Sequence, residues 1–187
     1  FKQKTAYEIS LGLVGSEMCI RDRGNIVGKT PNGTGIMVMA NEKVILEENY
    51  ISGNATAGIL VVSYLDEYED DNYNPLPNKI FIRNNQLNNN GFEVDKVRAE
   101  PIALLTKNKA PEIIWDGVTS FPEWIGLSKQ QRLILGPNKT KDRKTDMINL
   151  NLMTYALLPW FHITKEDYDD YIGEGISLTE VNFKTKW

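Results

Sequence analysis

Cysteine and histidine are nearly missing from this sequence, with one of each in 187 residues, Cys19 and His162. That excludes a disulfide framework and a thiolate zinc site. A lone histidine also has no partner for a zinc centre or a Ser-His-Asp triad, so His162, set in the apolar "PWFHI", reads as a packing residue. A basic excess is lacking too: 21 Lys and Arg stand against 25 Asp and Glu, for a net charge of −4. Nucleic-acid binders carry a basic stripe, so that class is set aside. No apolar run approaches the ~20 residues of a membrane-spanning helix. The length suits one domain.

The opening "FKQKTAYEISLGLVGSEMCIRDRG" is not a signal peptide. Its apolar stretch is interrupted by Ser10 and Gly12 and flanked by Glu8 and Glu17, too weak for export. It resembles translated sequencing-library adapters instead. Phe1–Glu8 is similar to an in-frame flow-cell primer, and Leu13–Asp22 to a transposase adapter. Ile9–Gly12 falls where an index barcode lies. Residues 1–23, Cys19 included, are therefore excluded from fold reasoning. Natural sequence is expected to begin at Gly24, in mid-protein, with earlier parts missing.

What remains is repetitive and rich in asparagine. "VILEENYISGN" (Val44–Asn54) returns as "IFIRNNQLNNN" (Ile80–Asn90), with Val44, Leu46, Asn49, Ile51 and Asn54 recurring 36 residues later. "GIMVM" (Gly35–Met39) returns as "GILVV" (Gly58–Val62) after 23. Apolar residues two apart share one face of a strand, and Asn49 and Asn85 are expected on that same inward face, at a bend. A run, an asparagine bend, a second run and a glycine turn make one coil. Stacked in parallel, such coils form a β-helix, each burying its apolar side against its neighbours. Asn49 and Asn85, and likewise Asn54 and Asn90, are then expected to form hydrogen-bonded ladders that satisfy buried amides. A β-sandwich is the alternative; a leucine-rich repeat is disfavoured by the lack of LxxLxL spacing.

"NYISGNATAGILVVSY" (Asn49–Tyr64) resembles the repeats of bacterial right-handed parallel β-helix proteins, whose fold is shared with pectate lyases. The resemblance covers Gly24 to Asn90 and continues through "PEIIWDGV" (Pro111–Val118), which is similar to a segment in uncharacterised secreted proteins. It implies an all-β fold, a right-handed parallel β-helix of few coils over 24–118, and a periplasmic or extracellular location. The region 119–187 is expected to cap the stack. There "MINLNLM" (Met147–Met153), "YALLPWF" (Tyr155–Phe161) and "ISLTEVNF" (Ile176–Phe183) read as strands and loops, and Ser128–Asp146 as a basic, flexible connection. Asp95–Lys107 reads as a short helix limited by Pro101.

Chemistry is less legible. The insertion at 64–78 holds Asp66, Glu67, Glu69, Asp70 and Asp71, hard oxygen ligands suited to calcium. Their spacing does not match an EF-hand, and a solvated acidic loop is the default. Of these, Asp66, Glu69, Asp70 and Asp71 are the candidate calcium ligands. A lyase of the resembled superfamily would also need a base beside a uronate. Arg83 is expected to point outward and suits that role, but Arg98, Lys107 and Lys109 are equally available. No acids visibly converge for a glycosidase pair. Among Trp115, Trp124, Trp160 and Trp187, an exposed Trp124 is the candidate sugar-stacking face. Asn32, Asn54 and Asn138 head glycosylation-type triplets, which an asparagine-rich chain produces by chance.

The expectation is an exported β-helix protein that binds carbohydrate on its side face or loops, without an assigned catalytic residue and as a monomer when full length. The alternatives are a polysaccharide lyase or hydrolase acting on acidic glycans, and a structural or partner-docking module.

Overall fold

Alternation of aliphatic and polar residues sets the strands. The computed structural model describes residues 30–65, 73–128, 131–140, 146–161, 163–164 and 168–173. Residues 1–23, the ligand candidates Asp66, Glu69, Asp70 and Asp71, His162, Trp187 and Ile176–Phe183 lie outside the described residues. The strands are β1 (Thr34–Met39), β2 (Glu42–Glu47), β3 (Tyr50–Ser52), β4 (Ala57–Val62), β5 (Asn78–Arg83), β6 (Gln86–Asn88), β7 (Ile113–Trp115), β8 (Leu133–Leu135) and β9 (Met147–Asn149). They form three small sheets, β1-β4-β7-β9, β2-β5-β8 and β3-β6. Every strand pairing is parallel. The chain visits the three sheets in rotation, so β-strands dominate and helices are few and short.

Register places like residues above one another. Ile36, Ile59, Ile113 and Met147 align across the first sheet. Val44, Ile80 and Leu133, and Leu46, Ile82 and Leu135, align across the second, and Ile51 pairs with Leu87 in the third. Most of these side chains, with Val38, Val61, Trp115 and Tyr168, form one buried cluster, against which the partly buried Ile36, Val44 and Leu46 pack. The backbone repeats as well. Lys43 and Lys79, Glu48 and Asn84, and Gly53 and Asn89 all have positive φ, so each turn bends left-handed at the same three points, 36 residues apart.

Asparagine joins the turns at two corners. Asn49 donates its backbone N–H (3.0 Å) and Nδ2 (2.9 Å) to Oδ1 of Asn85. Asn85 does the same to Oδ1 of Asn138, at 3.0 Å for each bond. Asn138 Nδ2 then donates to the hydroxyl of buried Tyr168 at 2.7 Å. At the second corner, Asn54 donates to Oδ1 of Asn90 from its backbone (3.1 Å) and Nδ2 (2.8 Å). Asn90 passes the pattern on to the buried carboxylate of Glu112.

The parallel stack extends past the boundary expected at 118. Leu133, Leu135 and Asn138 form a third copy of the repeat, where the sequence suggested a flexible connection. Its pattern is disguised because Gly136-Pro137 replaces Arg83-Asn84. Proline cannot adopt the positive φ of Asn84, so the chain reaches the asparagine by another bend. Gly136 is required there, since a Cβ would lie 2.7 Å from that of Arg83. Met147–Asn149 likewise joins the first sheet instead of covering an end. "YALLPWF" is helical: Asn151, left-handed at φ 50°, ends the extended run before a helix at Leu152–Leu157 and a 3-10 turn at Pro159–Phe161. Among the described residues, no helix is long and apolar enough to cross a membrane.

Asn85 accepts bonds from one neighbour and donates to the carbonyls of Leu46 and Arg83 and to Asn138 while fully buried. Asn85→Leu strands several partners at once and is expected to lower unfolding free energy by about 3 kcal/mol. Asn49→Leu, at a half-buried end rung, should cost about 1 kcal/mol or less. Urea titrations of both variants check the order.

Candidate functional site

Variable chemistry enters where the succession of parallel strands is interrupted. Between Asn54 and β4 the chain turns at once, whereas between Asn90 and β7 it makes an excursion. That insertion closes on itself, with Ala110 N–H donating to Gly91 C=O at 2.8 Å and Gly91 N–H to Asn54 C=O at 2.8 Å. Gly91 has φ 71°, and a Cβ there would fall 2.1 Å from the Ala110 carbonyl oxygen, so only glycine serves.

The insertion carries helix α1 (Glu100–Leu105), started by Pro101, where a missing N–H costs nothing. Ile102 and Ala103 cover the outer face of the first sheet, meeting Leu60, Ile114, Ile148 and Leu150. Asp95 ties this cover to the segments that lead into β1 and β4. Its carboxylate accepts from Asn32 N (2.9 Å), Val97 N (2.9 Å) and Arg98 N (3.2 Å), while its own N–H meets Thr56 Oγ1 at 2.9 Å. Burial alone would raise Asp95, but these backbone bonds and the Arg98 charge hold it below the usual carboxylate range.

A groove of about 520 Å³ runs beside the insertion, floored by Asn90 and Gly91 and walled by Phe92, Lys109, Pro111 and Asp146. Phe92 is 46% exposed. Lys109 and Asp146 bring both signs of charge, and Pro111 adds a second apolar wall. A flat aromatic surface beside charged groups suits the face and polar rim of a sugar ring.

Two buried carboxylates lie at the opposite end of the first sheet. Asp116 follows β7 and accepts from Ser63 N (2.7 Å), Ser63 Oγ (2.5 Å) and Val118 N (3.1 Å). Burial pushes Asp116 up, overriding those bonds and the Arg132 charge. Glu123 lies in helix α2 (Phe121–Trp124), capped reciprocally by Ser120. Its carboxylate pairs with buried Arg132, Nη2 to Oε2 at 2.5 Å and Nε to Oε1 at 2.9 Å, and Arg132 Nη1 donates to Pro77 C=O at 3.0 Å. Burial opposes ionisation here as well, but the bonds from Arg132 and Ser120 win and Glu123 is lowered.

The residues singled out from sequence are scattered. Asn49 with Asn85 and Asn54 with Asn90 meet at the two corners already described. Arg83 lies on the outer wall, ion-paired with Glu47 and over the Phe81 ring at 5.0 Å. Trp124 is half-buried, not exposed: its Nε1 donates to Thr154 Oγ1 at 3.0 Å and its ring meets Phe121, so the short helix packs it against its neighbours. Trp115 belongs to the core, whereas Trp160 is 77% exposed. Asn54 and Asn138, heads of the glycosylation-type triplets, are held in the ladders. Among the described residues, no group of three or more acidic, His or Cys side chains is placed to hold a metal. Sequence reasoning passed over Phe92, Asp116, Glu123 and Arg132. An acidic residue nine positions before an arginine in "SFPEW…QQRL" was the available signal for the buried pair.

Arg132→Met leaves Glu123 buried without its cation and is expected to cost about 3–5 kcal/mol. The lowered Asp95 and Glu123 stabilise the folded chain fully above the ordinary carboxylate range, and this support is lost as pH falls below about 4. Urea melts from pH 6 to pH 3 should show the loss, with a smaller slope in Glu123→Gln. No protein-family model, curated protein or solved structure matches this chain.

Proposed function

We propose that this chain is part of a right-handed parallel β-helix protein that binds an extended carbohydrate in the groove beside residues 91–111. Parallel strands visited in rotation, with two asparagine ladders, support the β-helix, and the strong preference of parallel crossovers for one hand supports its handedness. The single observation carrying the ligand reading is the exposed Phe92 ring in a groove that also holds Lys109 and Asp146. Phe92 stacks on a pyranose face, and Lys109 meets a uronate carboxylate or ring hydroxyls. The resemblance to exported bacterial proteins supports a periplasmic or extracellular site of action and a monomeric full-length protein.

Binding is favoured over cleavage. A lyase or hydrolase needs acid and base groups converging on the sugar. Glu112 and Glu123 are instead committed to their own partners, Asn90 and Arg132, and Asp116 lies outside the lining of the groove.

Calorimetric titration with oligogalacturonate and with a neutral oligosaccharide, each with and without calcium, tests the reading. Phe92→Ala should weaken both by about tenfold, the equivalent of ~1.4 kcal/mol. Lys109→Ala should weaken the acidic ligand alone, and most at low salt. Unchanged binding in Phe92→Ala removes the groove from consideration, and shortened oligosaccharides after incubation would replace binding by catalysis.

A further inference from the structure

A second cavity, of about 220 Å³, lies on the other side of the 91–110 insertion. Met37, Met39, Val62 and Leu150 from the outer face of the first sheet form one wall, and Ile102 of α1 forms the other. One charge-bearing group reaches this apolar lining from the sheet end: Asp116, only 5% exposed. Arg98 stands at the cavity too, but it is paired with Asp95 at 3.7 Å.

The carboxylate has spare capacity. Two carboxylate oxygens offer about four acceptor positions. Oδ2 takes two bonds, both from Ser63, while Oδ1 takes one, from Val118. A buried carboxylate with one open acceptor position at the end of an apolar cavity is matched by a donor on an apolar body. Methionine, unbranched and polarizable, lets such a wall adjust to the body's shape. The nearby cation that offsets Asp116, Arg132, is already bound by Glu123. When Asp116 ionises its charge is therefore incompletely balanced, which favours a cationic donor over a neutral one.

We propose that this cavity binds a compact apolar amine, its ammonium donating to Asp116 and its hydrocarbon lying against Met37, Met39 and Ile102. The site is independent of the carbohydrate groove, which opens on the other flank of the insertion.

The test uses the protein labelled with 13C at methionine methyl groups, titrated at neutral pH with benzylamine, benzyl alcohol and benzoate. Saturable shifts of the Met37 and Met39 signals are expected with benzylamine, at least tenfold weaker affinity with benzyl alcohol, and none with benzoate. Asp116→Asn should abolish the preference for the amine while leaving benzyl alcohol bound. Should that variant fail to fold, Met39→Trp, which fills the cavity from a half-buried edge, provides the second arm and should eliminate benzylamine binding. Benzoate binding as well as the amine, no methionine response to any probe, or undiminished binding in Met39→Trp overturns the proposal.

Discussion

The stack depends on a side chain that donates and accepts in the same direction. A primary amide placed at a bend takes a neighbour's N–H groups on Oδ1 and offers its own Nδ2 onward, so identical residues in successive turns satisfy one another without limit. Strands in a sheet are spaced ~4.8 Å apart, and the Asn49–Asn85–Asn138 bonds of 2.9–3.0 Å fit within that spacing. A slip of one residue would break every rung and turn each aliphatic outward. The ladder thus fixes the register that puts Val44 over Ile80 and Ile80 over Leu133. Its end is closed by a different donor-acceptor, the Tyr168 hydroxyl, which accepts from Asn138 and donates to Gly136 C=O at 2.5 Å.

Such a constraint acts only at corners, leaving the chain between them free to vary in length. The first two rungs are 36 residues apart and the next two 53, yet both make the same bonds. Extra residues leave the wall at two places. The 91–110 excursion folds back over the first sheet and creates a groove on one flank and an apolar cavity on the other. The excursions before β5 and β8 leave from one corner, where Arg132 spans them by holding Glu123 of the later and Pro77 of the earlier. The earlier one is closed at its base by Tyr64 N–H to Pro75 C=O and by Tyr73 Oη to Tyr64 C=O, both 2.9 Å. A uniform interior is thereby combined with individual outer surfaces.

The parts legible in the sequence were those repeating at constant spacing. Aliphatics two apart and asparagines 36 apart announced parallel turns because period-two patterning and the amide bend both survive as letters. Leu133–Asn138 escaped because backbone geometry, not side-chain chemistry, changed: proline occupies the place of a left-handed residue, and no pattern of letters records an equivalent bend. Met147–Asn149 was legible as strand from its alternation, but its place was not: nothing in "MINLNLM" says that it pairs with β7 instead of covering an end. The candidate groove was illegible for another reason. Its walls come from residues 90–92, 109–111 and 146–147, segments that meet only after the stack has formed. Trp124, chosen as an exposed tryptophan, was claimed by Thr154 and Phe121, while the less conspicuous Phe92 stayed open.

The contrast between Asp116 and Glu123 shows what this scaffold does with buried charge. Both carboxylates lose solvent, and both accept several hydrogen bonds. Glu123 also receives a bidentate guanidinium, which holds it below the usual carboxylate range; Asp116 receives only neutral donors and a cation already engaged, and burial pushes it above that range. Linkage then gives the two opposite signs. Glu123 supports folding above the ordinary carboxylate range, whereas ionised Asp116 costs stability as pH rises from that range toward its raised value. A group that contributes less folding stability when ionised, yet is built into the wall by three hydrogen bonds, is costly for structure alone. A binding partner that stabilises its charged form offsets that cost only when bound, which links occupancy of the cavity to stability of the sheet it sits on.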